Sequence, residues 1–281
     1  FTEGEEQALA ESLAAYRSGD LLAALKNYPA SQKTESDAER IYHAAVLLSV
    51  GQVEQTDVEL AALSTKTEPA RLTESLRTLI AAVKRDKRSL THEPQLASEL
   101  LAASYFEQSR ATGDASLNRA LDFARRATSV SPDFGFAWTR VAELEFGFGR
   151  VGEAGRALNN ALRLSPHNAQ ALALKGFTLA AQNKITEAIQ WFDRALAADA
   201  ALGNAWLGRG LCRIRRGDAA GREDLMVAAA LEPQRALLRS YLGKAYANGG
   251  DPQRASHELE LARQLDPNDP TGWLYSALLK Q

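Results

Sequence analysis

The stretch AGRALNNALRLSP, residues 154–166, decides how the chain folds. Ala154, Leu158 and Ala161 recur at steps of four and three, which places them on one face of an α-helix. Pro166 follows shortly beyond the last of them and ends that helix. The same spacing returns as Ala188, Phe192 and Ala195, with Ala200 in the proline slot, and as Ala255, Leu259, Ala262 and Pro267. An earlier copy reads Ala120, Ala124, Ala127 and Pro132. A shortened one reads Gly221, Leu225 and Ala228, with Pro233 one residue early.

Each copy has a partner helix upstream. Trp138, Leu172, Trp206 and Trp273 mark it, at separations of 34, 34 and 67 residues. Gly217-Asp218 and Gly250-Asp251 sit where one helix stops and the next starts: glycine accepts the left-handed end conformation and aspartate caps the following helix. Ala142, Gly176, Gly210 and Gly243 are small residues at one repeated slot, where two helix backbones can approach closely. A helix pair of this kind cannot bury its apolar face alone, so successive pairs must stack.

These marks resemble the tetratricopeptide repeat (TPR), whose pattern is W-x2-L-G-x2-Y, then A-x3-F-x2-A, then P. Trp138-x2-Val141-Ala142, Trp206-x2-Arg209-Gly210 and Leu242-Gly243-x2-Tyr246 stand in frame; Glu145 and Arg213 occupy slots where tyrosine is usual. The resemblance implies an all-α fold, a right-handed α-solenoid of stacked antiparallel helix pairs. Its regular part runs over 93–281. Residues 1–92 read as degenerate TPR-like helical repeats: Glu5 to Ser18 with Leu21 to Tyr28, then Ala38 to Val50 with Val53 to Leu63. Ala70 to Arg85 reads as a long helix with no evident partner, and 84–94 as the main irregular linker. Gly113 to Asn118 reads as a lengthened loop. At the other end, 270–281 reads as a first helix without its second, rich in apolar residues on more than one face. It either caps the array or continues into further chain, and continuation is favoured.

Composition excludes several classes. The formal charge of −2 on 281 residues gives no basic excess for nucleic acid. No apolar run approaches a membrane span. One cysteine, Cys212, allows no internal disulfide and reads as a small buried residue. His43, His92, His167 and His257 pair with nothing at metal spacing. The basic runs at 84–88 and 213–218 read as solvated helix ends. No catalytic residues, cofactor or metal site emerge, and the chain reads as non-enzymatic. The Ala-rich, Cys-poor style is similar to bacterial repeat proteins and leans toward the periplasm or envelope over the cytoplasm.

The remaining puzzle is GFAWTRVAELEFGFG, residues 135–149, with more aromatic rings than one core face uses. The resemblance implies that slots two, five, nine and twelve of each first helix line a concave face. These are Phe136, Thr139, Glu143 and Phe146; then Gln170, Ala173, Phe177 and Ala180; then Asn204, Leu207, Leu211 and Ile214; then Leu237, Ser240, Lys244 and Ala247. The expected partner-binding set is Phe136, Thr139, Glu143, Phe146, Gln170, Phe177, Asn204, Leu207, Leu211, Ile214, Leu237 and Lys244, holding a peptide or helix of a partner protein. Three buried apolar anchors would gross on the order of 5–9 kcal/mol before association costs. The alternative is that these slots pack against the chain itself. A second function class is self-association or assembly through the open ends. Lys244 and Asn204 alone do not make the carboxylate clamp with which some family members grip a peptide terminus.

Overall fold

A computed structural model describes residues 1–29, 36–63, 69–86, 92–111 and 113–279. Among them every regular element is a helix. In chain order these are α1 (Glu3–Ala8), α2 (Ala10–Ser18), α3 (Leu21–Lys26), α4 (Asp37–Ser49), α5 (Val53–Ala61), α6 (Pro69–Lys84), α7 (Ala97–Ser109), α8 (Asp114–Val130) and α9 (Gly135–Gly147). There follow α10 (Val151–Leu164), α11 (Ala169–Ala181), α12 (Ile185–Ala198), α13 (Gly203–Arg215), α14 (Ala220–Leu231), α15 (Ala236–Asn248), α16 (Pro252–Leu265) and α17 (Pro270–Leu279). The chain divides into two compact units, Phe1–Ala171 and Leu172–Gln281.

In the first unit α2 packs with α3, α4 with α5, α7 with α8 and α9 with α10. In the second, α13 packs with α14 and α15 with α16, while α17 lies on both α15 and α16. The fold is an α-solenoid of stacked antiparallel helix pairs. Its core is a series of small clusters: Leu9, Ala24, Tyr42 and Val46 form one, and Leu207, Leu225, Leu238 and Leu242 belong to another. That is the expected arrangement when each pair buries its face only against its neighbours.

The Ala-x3-Leu stripe sits where the sequence puts it. Ala154, Leu158, Ala161, Ala188, Phe192, Ala195, Ala255, Leu259 and Ala262 are all at most 1% exposed. The small slots face this stripe. A Cβ on Gly243 would come within 2.7 Å of Leu259, and one on Gly176 within 2.7 Å of the Phe192 ring. At the α13–α14 crossing the partner is itself backbone: a Cβ on Gly210 would stand 2.8 Å from the Gly221 carbonyl oxygen. The tryptophans have a second duty besides packing. The indole N–H of Trp138, Trp206 and Trp273 donates to the carbonyl six residues earlier, at 2.8, 2.8 and 3.0 Å. Each ring thereby fastens the turn that leads into its own helix.

Two tyrosine slots have been rebuilt with charge. Glu145 is buried and takes Arg125 and Arg150, the latter at 3.2 Å. Arg213 reaches the buried Asp224 at 2.9 Å, and Arg209 grips the same carboxylate at 2.8 and 3.0 Å. A buried carboxylate requires such pairing.

Three local expectations need correction. Residues 5–18 are two helices, α1 and α2, joined at Leu9 (φ −92°, ψ 1°), whose side chain is 1% exposed. Gly113 to Asn118 is no long loop: α8 begins at Asp114, so the extra residues lengthen the helix instead. And α6 has partners, chiefly α7, with α4 and α5 beside it. The irregular stretch 84–94 falls partly outside the described residues, which exclude 87–91. At its described start Lys84, the last residue of α6, pairs with Asp57 at the surface.

Candidate functional site

The first helices present the slots, and each unit carries its own set. In the first unit Phe136 is half-buried, because the Tyr16 ring of α2 lies against it with centroids 5.2 Å apart. Thr139 is 4% exposed; its hydroxyl donates to the Gly135 carbonyl and accepts from the Asn168 amide at 3.5 Å. Glu143 is half-buried and pairs with Arg140 at 3.2 Å, while the Tyr105 hydroxyl donates to it at 3.5 Å. Burial pushes the Glu143 carboxyl above its ordinary value, against the pull of Arg140 and Tyr105. Arg140 itself is buried. It stacks 4.0 Å over the Tyr105 ring and donates to the Ser104 hydroxyl and carbonyl. Phe146 is half-buried and Gln170 exposed.

In the second unit Phe177 is half-buried, edge-on to Phe192 at 4.9 Å. Asn204 accepts from the Arg235 guanidinium at 2.8 Å. Leu207, 5% exposed, joins Leu225, Leu238 and Leu242 in the core, with α15 covering the slot. Leu211 and Ile214 are partly buried against the same cluster and keep an open side. Leu237 is half-buried. Lys244 is exposed, with its ammonium 4.7 Å from the centre of the Tyr275 ring. Each slot lies on its first helix, and Thr139, Ala173, Leu207 and Ser240 are left little accessible surface.

Cys212 is 3% exposed and burial pushes its thiol up. Among the described residues no three of His, Cys, Asp or Glu gather as a metal site. Glu99, which nothing in the repeat pattern singles out, is a heavily bonded carboxylate of the first unit. It takes Arg71 at 2.6 and 2.7 Å, the backbone N–H groups of Gln95 and Leu96 at 2.8 and 2.9 Å, and His92 at 3.0 Å. Burial alone would raise its pKa; the Arg71 fork, the two amides and His92 outweigh it and hold the carboxyl near 2. The cluster ties α6 to the start of α7.

A family model for the tetratricopeptide repeat matches residues 145–208. Those residues carry the tetratricopeptide repeat. The TPR fold extends over the whole length of the chain. The crystal structure of the APC/C hetero-tetramer Cut9–Hcn1 superposes with a TM-score of 0.76 at 14% identity, covering 100% of this chain and 57% of that one. The chain thus spans little more than half the length of that solved relative. A thermophilic TPR protein of Thermus thermophilus is similar over 66% of this chain and 100% of its own, at 18% identity and a TM-score of 0.57. PilF of Pseudomonas aeruginosa is similar over 86% and 97%, at 15% identity and 0.52. No curated protein matches the sequence. The TPR fold is a scaffold for protein–protein interaction, in a family typically without enzymatic activity. Among the described residues no helix is long and apolar enough to cross a membrane.

Proposed function

We propose that the chain is a non-enzymatic scaffold and that its second unit holds a peptide or helix of a partner protein on the inner-face slots. The observation that carries this is the surface left over after the chain has packed against itself. Phe177, Leu211, Ile214 and Leu237 keep apolar surface at equivalent slots of α11, α13 and α15, with Lys244 exposed beside them. Asn204, spent on Arg235, orients the wall rather than gripping a ligand. Phe136, Glu143, Phe146 and Gln170 are the corresponding surface of the first unit, partly covered by Tyr16. Apolar surface repeated at equivalent slots is what a segment with spaced apolar anchors requires. Replacing Ile214 and Leu237 with Ser tests the reading. Partner capture should fall by about tenfold or more with helicity by circular dichroism unchanged, the loss expected when two apolar anchors are removed, and undiminished capture would refute it.

A second reading is assembly through the end helix. Trp273, Leu274 and Leu278 of α17 are 52%, 57% and 53% exposed, on a helix without a charged residue between Pro270 and Leu279. This supports self-association of two copies through α17. Sedimentation of the chain against its Leu274→Glu, Leu278→Glu variant decides it: a concentration-dependent dimer lost in the variant supports it, and a monomer throughout removes it.

A further inference from the structure

The contact between the chain's first helices and the turn before α11 has no counterpart in the repeat pattern. The sequence SPHN at 165–168 reads as a solvated turn, yet Ser165 and Asn168 are buried, at 1% and 4% exposure. What covers them is the C-terminal end of α2. The Ser165 hydroxyl donates to the Arg17 carbonyl at 2.8 Å, and the His167 backbone N–H donates to the Ser18 carbonyl at 2.9 Å. These are carbonyls at the end of a helix, which its own ladder leaves without partners. Gly19 follows in the left-handed conformation (φ +85°), and a Cβ there would come within 2.7 Å of the Asn168 nitrogen. Just before this end of α2, Tyr16 lies over Phe136. On the receiving side Gly135 is as necessary as Gly19, since a Cβ on it would collide with the Ser165 hydroxyl. Thr139 and Ala171 hold Asn168 in place, through its amide nitrogen and its carbonyl oxygen.

Among the described residues the contact consists of two hydrogen bonds and one ring pair, with Gly19 and Gly135 at the closest approaches. We propose that Phe136 and the turn 165–168 form a receptor for a helix C-terminus carrying an aromatic residue three positions before a glycine. In this chain α2 fills it as a built-in ligand. While α2 is seated, Tyr16 covers one side of the half-buried Phe136 ring and the Ser165 hydroxyl and His167 amide are taken; when α2 lifts, the ring, the hydroxyl and the amide become available together to a partner helix with the same ending. This deepens the inner-face reading for the first unit and rests on it only for what the opened site would accept. The closure stands independently.

The test is amide hydrogen exchange on the full chain, because the His167 N–H reports directly on the contact with α2. The amide should be protected relative to exposed turn amides. Tyr16→Ala and Ser165→Ala should each speed its exchange by about 2- to 12-fold, the ratio equivalent to one net hydrogen bond or ring pair. Amides within α9 and α10 should stay protected, which separates release from misfolding. A blocked peptide of residues 9–28, added to the Tyr16→Ala chain, should restore protection in proportion to its concentration, and its own Tyr16→Ala version should not. A His167 amide that exchanges freely in the unaltered chain, or is indifferent to both substitutions, overturns the closure. Failure of the native peptide to protect overturns the receptor. Loss of partner capture by the second unit moves none of these readouts, so the two readings fail separately.

Discussion

Gly210 and Gly221 meet backbone to backbone. A Cβ on either would stand 2.8 or 2.5 Å from the other's carbonyl oxygen, and a Cβ on Gly221 would also strike Ile214. The α13–α14 pair is closest here because neither helix offers a side chain at the crossing. A neighbour that is main chain cannot swing aside, so even one carbon must push the helices apart. Gly210→Ala should destabilise the chain by about 1–3 kcal/mol through overpacking. At the open turn glycine Gly113, where a Cβ would meet nothing within 4 Å, the same change should cost far less. Thermal or urea unfolding of the two variants side by side checks the contrast.

Asp224 is the charge on which the same helix pair depends. Its carboxylate is almost fully buried and receives Arg209 and Arg213 together, with Arg209 also holding Asp193 at 2.7 Å. Removing the carboxylate leaves two partly buried cations facing each other. Asp224→Ala is therefore expected to cost about 3–5 kcal/mol, the range for breaking a buried pair from one side. Asp193→Ala, which removes a carboxylate half exposed to water, should cost under about 1 kcal/mol. Equal effects in denaturant titrations would show that burial does not set the difference.

How much of this is legible in the sequence depends on how far apart the interacting residues lie. Ala154, Leu158, Ala161 and their copies can be read because the core of each pair is made by residues one repeat apart, which periodicity reports directly. Gly210 and Gly243 are legible for the same reason. The Tyr16–Phe136 contact is not, because a repeat pattern specifies neighbours and says nothing about a meeting of residues so far apart along the chain. Spacing assigns Leu207 to an open slot, but the accessible surface of that slot depends on how closely α15 follows, and α15 covers it. The stretch from Gly113 to Asn118 contains polar and glycine residues typical of loops. A helix already propagated through Leu121 and Ala124 extends at little cost, and it absorbs them from Asp114 onward. Glu99 carries no motif at all: its partners come from α6, from a turn and from a backbone end, and only their assembly makes it matter.

Glu99 gives the chain a defined acid sensitivity. Its carboxyl is held at about 2 in the folded chain against 4.5 for the free group, so the folded state binds this proton less readily. The contribution is present in full above pH 4.5 and is lost as the pH falls from there toward 2. The difference corresponds to about 3 kcal/mol, little screened by solvent because the side chain is buried. Glu99→Gln should lower stability at neutral pH and flatten the stability profile between about pH 5 and 2. Urea midpoints taken across that range test both; parallel profiles for the two chains would mean that Glu99 is not the group responsible.

Cys212 supplies a probe that needs no substitution. The thiol is buried on α13, and burial raises its pKa, so at neutral pH it is both shielded and protonated. A thiol reagent requires the thiolate and an open path to it. Labelling of the folded chain should therefore be slower than labelling in denaturant by on the order of 100-fold or more, as for a site that reacts only when its helix pair opens. Gly210→Ala loosens the same α13–α14 pair and should speed labelling by roughly the factor by which it raises the open population, about 5-fold for each kcal/mol lost. Ser165→Ala lies in the other unit and should leave the rate unchanged. Prompt labelling of the unaltered chain would contradict the packing of α13, whereas acceleration by Gly210→Ala alone would tie the reactivity of Cys212 to the close approach of Gly210 and Gly221.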